Sequence, residues 1–488
     1  MLIWIFICFV IFNTISVLWK KRWLLYHAWK IPGPFSVPLV GSPFLLSATK
    51  DNFFDLIYGK LDSWRPVGKA WAGSQLYIAT TRPTDVEKIL TNCLNKSPFY
   101  EHFNDVMKDT LLTSKVSIWK EHRKMINPSF NSKILNSYHD TFVKYSSEMV
   151  NYLSDTEGEE QTNLLPVIWE KTLDVALATL TNVDPQVIKE RRRMITVTVK
   201  FEEILIQRFH TFWLLIDFFW KLSNLHKEHK VVCQTVHAFV ENILLQEYKS
   251  YDSEDINDDT IQSKQFLPNL TNLKRTKQIT REEIMDETCL MLTAASETAA
   301  ITINTIFTFL GIYSDIQERV YQELVSVLPN MENSPTQEEI NRLDYLERVI
   351  KETLRLVPTI PFILRYVDED IKCDPYVFPA GSNIVVPLVL LHKNPDVWPE
   401  PEKFDPDRFL SDEVAKRHRC SYIPFSFGAR NCIGLRFGMM EVKIMVATIL
   451  RNFKVRTVGM KSWKDIQWEY MVMLKVKNSR LRFEKRKF

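Results

Sequence analysis

The chain has 488 residues, of which 45% are hydrophobic and 25% are charged. This length excludes a small module, and the composition is ordinary for a globular protein with an ample core. The net charge is only +3, from 62 basic and 59 acidic residues, and it gives no indication of a nucleic-acid partner. The seven cysteines are scattered without close pairs, which fits reduced thiols in a cytosol-facing protein and excludes the ligand spacing of a zinc site.

The first 19 residues carry no charge and are rich in apolar side chains. A helix of this length spans roughly 28 Å, enough to cross a bilayer. A cleaved signal peptide is the alternative, but no basic residue precedes the apolar run and no clear small-residue cleavage site follows it. We therefore predict an uncleaved transmembrane anchor at 1–19. Lys20 to Arg22 follow directly, so the positive-inside rule places the rest of the chain in the cytosol. The aromatic residues suited to the membrane interface are Trp19, Trp23, Tyr26 and Trp29.

A basic and proline-rich hinge is predicted at 20–44, followed by one domain at 45–488. Within the hinge, Ile31 to Pro34 (Ile-Pro-Gly-Pro) cannot continue a helix and predicts a stiff turn. Residues 51–113 mix helical stretches with short strand-like pieces, which predicts a small sheet beside a helical body. Residues 135–246 predict successive amphipathic helices, and the polar stretch 250–277 predicts a solvated linker. The expected fold is mainly α with a small β region.

Trp119 and Arg123 stand four residues apart and therefore on one face of a predicted helix. Taken alone, they are an ordinary amphipathic pair. Further along, Thr280 to Glu283 form a capping-box pattern, and the helical pattern then runs to about Gly311, roughly 45 Å. This helix contains a run of small residues that also holds Glu297 and Thr298. Close helix packing is the plain interpretation of that run.

Glu352 and Arg355 lie three apart on one helical face, a spacing that is usually a surface salt bridge of little energetic weight. Pro361 to Val367 predict a strand, which carries Arg365. Tyr376 to Val385 predict a hairpin with its turn at Pro379 to Gly381. Gln467 to Leu481 alternate like further strands.

The stretch from Pro424 to Gly434 (Pro-Phe-Ser-Phe-Gly-Ala-Arg-Asn-Cys-Ile-Gly) precedes a long apolar segment. Gly428 and Gly434 allow tight bends and close approach to a flat ligand, and Phe425 and Phe427 supply an apolar wall. Because the helical pattern begins at about Cys432, free amide groups and the helix dipole would stabilise a thiolate there. Cys432 is thus a candidate metal ligand, although a lone cysteine in apolar sequence is usually a core residue.

The spacing Phe-x-x-Gly-x-Arg-x-Cys-x-Gly, from Phe425 to Gly434, resembles the haem-thiolate signature of the cytochrome P450 monooxygenases. The resemblance extends from the hinge to the C-terminus and implies the cytochrome P450 fold. It also implies haem b, with Cys432 as the axial ligand that pushes electron density onto the iron. Arg430 would bind a haem propionate.

The resemblance implies roles for other residues. Trp119, Arg123 and Arg365 would contact haem propionates. Glu297 and Thr298 occupy the acid and threonine positions of the motif that relays protons during oxygen activation. Ala295 and Ala299 depart from the glycine and second hydroxyl usual there. Glu352 and Arg355, with Arg408 as the third member, would form a buried structural triad that is needed for haem incorporation.

The overall pattern is most similar to the clan of fatty-acid ω-hydroxylases and their insect relatives. Many of these carry a glutamate that forms an ester with the haem, but Ala294 stands at that position here, which predicts a non-covalent haem. Part of the aromatic region 201–220 would line a substrate channel or touch the membrane, as the corresponding region does in the family.

The resemblance implies that one oxygen atom enters a lipophilic substrate, such as a fatty acid, a hormone or a xenobiotic. NADPH would supply the electrons through a flavoprotein NADPH-cytochrome reductase, with a b-type cytochrome as a second candidate donor. The expected location is the endoplasmic reticulum membrane, with the catalytic domain facing the cytosol.

The alternatives to a monooxygenase are a haem-binding protein without turnover and a peroxide isomerase on the same fold. His392 is the alternative iron ligand. A set of basic residues could face an acidic electron donor: Lys120, Lys124, Lys416, Arg417, His418, Arg419, Arg436 and Lys443.

Overall fold

The computed structural model describes residues 4, 8, 12, 15–36, 41–42, 53–253, 264–329 and 333–486. Most of the anchor predicted at 1–19 therefore lies outside the described residues, as do 37–40 and 43–44 of the predicted hinge. The α-helices described are α1 (Arg22–Lys30), α2 (Phe53–Ser63), α3 (Pro83–Asn92), α4 (Val116–Ile126), α5 (Ser132–Ser137), α6 (His139–Asp155), α7 (Leu165–Ala176), α8 (Arg191–His210), α9 (Asp217–Leu222), α10 (Asn224–Ser253), α11 (Phe266–Arg275), α12 (Arg281–Ile312), α13 (Ser314–Val327), α14 (Gln337–Asn341), α15 (Asp344–Leu356), α16 (Leu388–Leu391), α17 (Ser411–Ala415) and α18 (Leu435–Asn452).

The strands are short and form four small sheets among the described residues. They are β1 (Val67–Ala72), β2 (Gln75–Thr80), β3 (Glu160–Thr162), β4 (Phe362–Tyr366), β5 (Ile371–Cys373), β6 (Tyr376–Phe378), β7 (Asn383–Pro387), β8 (Phe453–Thr457), β9 (Trp468–Tyr470), β10 (Leu474–Val476) and β11 (Arg480–Lys485). The sheet orders are β1-β2-β7-β4, β3-β11-β8, β5-β6 and β9-β10. The prediction of a mainly helical fold with a small β region is confirmed.

The chain divides into two compact units, and the first comprises Met1–Phe99, Phe362–Val397 and His418–Asn431. Its four-stranded sheet pairs β1 with β2 and β4 with β7 antiparallel, and β2 with β7 parallel. Alternate residues of β2, Leu76 and Ile78, enter a hydrophobic core that also receives Leu24 and Ala28 from α1. Burying a large apolar side chain such as Leu24 is worth about 1.5–3 kcal/mol, which explains why α1 packs here.

The second unit comprises Tyr100–Pro361, Trp398–Arg417 and Cys432–Phe488, and its central element is α12. Thr280 caps α12 in a complete capping box with Glu283, as predicted. Most of the helix is buried, and it packs against α7, α10, α15 and α18. Among the described helices, α12 is the one long and apolar enough to cross a membrane, but 78% of its apolar window is buried in protein. Burial on all sides explains its apolar composition, as for a core helix of a large domain.

Two sequence-based predictions of local structure were wrong. Tyr376–Phe378 does form a hairpin, but with the preceding strand Ile371–Cys373, whereas Asn383–Pro387 pairs with β2 and β4 of the larger sheet. The predicted polar linker also contains a helix, α11, whose buried residues include Phe266, Leu267 and Leu270. Apolar residues at that spacing bury one helical face, and the many charges before α11 obscured this short pattern.

Candidate active site

The segment before Cys432 belongs to unit one and has a sharply bent backbone. Ser426 and Gly428 both adopt positive φ angles, 64° and 78°. A Cβ atom at Gly428 would lie 2.5 Å from the carbonyl oxygen of Leu90, so only glycine fits there. Phe427 is half-buried and packs against the hydrophobic core of unit one. Phe425 is half-buried.

We expect Gly428→Ala to destabilise the chain by more than the ~1–2 kcal/mol that a left-handed conformation costs a residue with a side chain. The excess arises because the new methyl group would collide with the backbone of Leu90. The matched control is Gly73→Ala, since Gly73 also has a positive φ (57°) but open space around its Cβ position. The urea midpoint of the full chain, followed by circular dichroism, measures both. Equal shifts for the two variants would refute the collision.

Cys432 lies at the start of the next segment, in unit two. Helix α18 begins at Leu435 with Gly434 as its N-cap, so the predicted start at Cys432 is two to three residues too early. The pKa of the Cys432 thiol is raised, because burial outweighs the hydrogen bond from the Gly434 amide and the charge of Arg123, which lower it. The side chain nevertheless keeps accessible surface, so the sulfur can meet a ligand. Gly434 has an ordinary φ of −85°, so its backbone does not itself require glycine.

Trp119 and Arg123 lie one turn apart on α4 in unit two, as predicted. Trp119 is buried and Arg123 is half-buried. Desolvation lowers the pKa of the Arg123 guanidinium, and the electrostatic interaction with Cys432 raises it. This interaction places the Arg123 cation of α4 in the neighbourhood of the cysteine. Between them, His122 Nδ1 lies 2.8 Å from Glu287 Oε1, which ties α4 to α12.

Unit one contains a cluster of three basic side chains, and the sequence predicted a role for two of them. Arg365 on β4 and Arg430 are buried, with 1% and 5% of their surface exposed. Lys96 is the third member: burial lowers its pKa well below the ordinary value, and the charges of Arg365 and Arg430 lower it further. Such a group favours an anionic ligand, because an anion would interact favourably with the two buried guanidinium groups and would favour a proton on Lys96. Nothing local in the sequence marks Lys96, since it acts only through its proximity to the two arginines.

Glu297 and Thr298 project from adjacent positions of α12 into different surroundings. Thr298 is half-buried, and its hydroxyl donates to the Ala294 carbonyl oxygen at 2.8 Å. Glu297 is only 1% exposed and accepts a hydrogen bond from Lys475 Nζ at 2.7 Å. Burial raises the pKa of Glu297, and the positive charge of Lys475 partly offsets this rise. The sequence did not predict a role for Lys475. A lysine between the two apolar residues of β10 is the signal that could have indicated one.

Glu352 and Arg355 form a bidentate ion pair inside unit two, at 2.7 and 2.9 Å. Arg408 Nε lies 3.6 Å from Glu352 Oε1, and the Asp405 amide donates to the same oxygen at 2.8 Å. Both side chains of the central pair are fully buried. The plain interpretation of a surface salt bridge is therefore wrong, and the predicted triad geometry is present.

Comparison with known proteins agrees with this arrangement. The family model described as Cytochrome P450 matches residues 31–483. The chain is 30% identical over 484 residues to cytochrome P450 4c3 of Drosophila melanogaster, covering 93% of this chain and 88% of that protein. It is also 30% identical to cytochrome P450 4c21 of Blattella germanica, over 94% of this chain and 93% of the relative. The chain is also 30% identical to cytochrome P450 4V2 of Homo sapiens, over 86% of this chain and 83% of the relative. The chain belongs to the cytochrome P450 family.

This cytochrome P450 is a haem monooxygenase that binds haem b through a cysteine thiolate and takes electrons from a redox partner. The residues present fit that cofactor. An accessible thiol with an amide donor and a neighbouring cation suits an iron-bound thiolate, and the buried cations of unit one suit carboxylate groups. Among the described residues, one other group has metal-ligand spacing: Glu87, His418 and Cys420, in unit one.

The group around Cys420 does not suit haem iron in this cytochrome P450. Cys420 is fully buried, and burial together with the charge of Glu87 raises the pKa of its thiol to about 11. Glu87 is already engaged in ion pairs with His418 and Arg419. His392 is likewise committed, because its Nε2 accepts a hydrogen bond from the Ile423 amide at 3.0 Å. Cys432 remains the candidate for the iron ligand.

Proposed function

We propose that this cytochrome P450 hydroxylates a lipophilic substrate of the fatty-acid type, with Cys432 as the iron ligand. The observation that carries the proposal is the setting of Cys432, whose sulfur accepts from the Gly434 amide beside the Arg123 cation. Both interactions favour a thiolate over a thiol. When bound, the haem supplies the reduction of dioxygen and the transfer of one oxygen atom to the substrate.

The residues around the cofactor would bind and orient it. In unit two, Trp119 and Arg123 would contact one propionate, and in unit one, Arg365 and Arg430 would contact propionate oxygens with Lys96 beside them. Phe425 and Gly434 flank the cysteine in the sequence and would complete the loop around the cofactor. The haem would be held without a covalent bond, since Ala294 offers no carboxylate for an ester and Glu297 is committed to Lys475.

Glu297 and Thr298 would deliver the protons that dioxygen reduction consumes. The Thr298 hydroxyl donates its hydrogen to Ala294, so its oxygen keeps lone pairs with which to accept another hydrogen bond. Glu297 would pass protons towards Thr298 from the buried side of the helix. A haem-binding protein without turnover, or a peroxide isomerase, has no need for such a relay.

A substrate from the membrane fits the apolar surfaces of both units. Large hydrophobic side chains are exposed near α9 in unit two, among them Trp213, Phe218, Phe219 and Leu222. In unit one, α1 exposes Trp23, Tyr26 and Trp29 on the face opposite to its buried Leu24 and Ala28. Exposed aromatic residues of this kind suit the membrane interface. They support an anchor at 1–19, a hinge at 20–44 and a catalytic domain at 45–488 on the cytosolic face of the endoplasmic reticulum.

NADPH-cytochrome reductase, or a b-type cytochrome, would supply the electrons. Lys120, Lys124 and Arg436 of unit two are exposed and could meet acidic groups of such a donor. Other basic residues considered for this surface are engaged within their own unit. Lys416 pairs with Glu413 and Lys443 pairs with Glu347 in unit two, and His418 and Arg419 pair with Glu87 in unit one.

The experiment that tests the proposal reconstitutes the full chain in phospholipid vesicles with NADPH-cytochrome reductase and a panel of fatty acids. We expect a hydroxylated product that requires both NADPH and dioxygen. Saturable binding of the haem without any product would favour the haem-binding alternative, and conversion of a fatty-acid hydroperoxide without NADPH would favour the isomerase. Product from hormones or xenobiotics alone would contradict the substrate class and leave the reaction type intact.

A further inference from the structure

A buried cluster of three ionisable residues surrounds the acid of α12. Lys475 Nζ on β10 lies 2.6 Å from Glu202 Oε2 on α8 and 2.7 Å from Glu297 Oε1 on α12. No more than 5% of any of the three side chains is exposed. The cluster therefore connects three elements of unit two at the position of the predicted proton relay.

The hydrogen bonds within the cluster define its protonation. Glu202 and Glu297 also form a hydrogen bond with each other. Two carboxylates can only accept, so this bond needs one proton shared between the acids. With Lys475 protonated and one acid neutral, the cluster carries no net charge, which is the least costly state for buried groups.

Electrostatics assign the proton to Glu202. Burial and the neighbouring charge of Glu297 together raise the pKa of Glu202 to about 8, against the opposing effect of Lys475. Burial would lower the pKa of Lys475, but the two carboxylates outweigh this effect and raise it. Tyr470 on β9 is a further titratable group beside Glu202, and burial raises its pKa so that it stays neutral.

We propose that Glu202 and Lys475 are positioning residues that hold a transferable proton next to Glu297 for the proton relay. The inference rests on the proposed function and deepens it. In each transfer, the O–H bond of Glu202 breaks and a new O–H bond forms on the Glu297 carboxylate. That bond then breaks as Glu297 passes the same proton towards Thr298, so both acids are ionised until Glu202 is reprotonated. A proton from solvent then restores Glu202. No electrons move within the cluster, and Lys475 keeps its charge throughout.

The test compares Glu202→Gln with Glu203→Gln in the reconstituted full chain. Glutamine keeps the shape and both hydrogen-bonding partners of Glu202 but has no transferable proton. Glu203 is the matched control, because it is the next residue of α8 and its side chain is 47% exposed. The readouts are product per NADPH consumed, hydrogen peroxide released, the solvent isotope effect on turnover, and haem content.

We expect Glu202→Gln to lower product formation on the order of 10²-fold, with NADPH still consumed and peroxide released. The unaltered chain should lose product yield above pH about 8, where Glu202 loses its proton, and the glutamine variant should lack this decline. Equal product yield, isotope effect and pH profile for both variants and the unaltered chain would overturn the inference alone. Absence of product from the unaltered chain would overturn the proposed function and this inference with it.

A second variant separates the relay from a purely structural role. Lys475→Arg keeps the positive charge and can bond both carboxylates, so it should keep its haem but shift the midpoint of the pH decline. If Glu202→Gln does not bind haem, the pH midpoint of product yield in Lys475→Arg tests the inference in its place. A Lys475→Arg protein with an unmoved pH profile would then refute the positioning role.

Discussion

Cys432→Ser is expected to abolish hydroxylation and to remove the red-shifted Soret band that thiolate-ligated haem gives in the reduced carbon monoxide complex. A serine hydroxyl stays neutral, whereas the Cys432 sulfur, beside the Gly434 amide and Arg123, would bind the iron as a thiolate. Without a thiolate the iron loses the electron density that favours O–O cleavage. The measurement is the carbon monoxide difference spectrum, together with product formation by the reconstituted enzyme.

Cys420→Ser is the matched control for this substitution. Cys420 is a buried thiol whose pKa is raised to about 11, so the serine variant should keep both the spectrum and the activity. Loss of the thiolate spectrum in Cys420→Ser, with Cys432→Ser unaffected, would transfer the ligand role to the cluster of Glu87, His418 and Cys420. A spectrum typical of histidine ligation in the unaltered chain would contradict the role of Cys432 and indicate His392 as the iron ligand.

Glu352→Ala is expected to prevent stable incorporation of haem. The substitution leaves the fully buried guanidinium of Arg355 without its bidentate partner and the Asp405 amide without its acceptor. Removing one partner of a buried ion pair costs about 3–5 kcal/mol, which is a large part of the stability of a typical protein. The measurement is haem per chain after purification, with the denaturation midpoint as a second readout.

The matched control for Glu352→Ala is Lys351→Ala on the same helix. Lys351 pairs with Glu347 at the surface, where both side chains are 36% exposed, so its loss should change stability by less than about 1 kcal/mol. A Glu352→Ala protein with the haem content of the Lys351→Ala control would show that the triad is dispensable for cofactor binding.

Much of the site was predictable because its signals are local. The capping box that starts α12 spans four consecutive residues, and both of its hydrogen bonds are present. The positions of Trp119 and Arg123 on one helical turn also follow from spacing alone. The segment around Cys432 was identified because the bend at Gly428 and the cysteine lie within a few residues of each other. The start of α18 was misplaced because the apolar pattern does not reveal where the first helical hydrogen bond forms.

The sequence by itself determined the family, the candidate iron ligand and the residue types of the proposed relay, because each depends on neighbours along the chain. Only the tertiary structure decided what surrounds them. It joined Glu297 to Glu202 and Lys475, which lie 95 and 178 residues away, and it placed Lys96 beside Arg365 and Arg430. It also paired Asn383–Pro387 with β2 in place of the nearby β6. Burial and neutralisation of charge select the ionic partners, and shared sheet edges select the strand partners. Both depend on how segments that are distant in the sequence pack together.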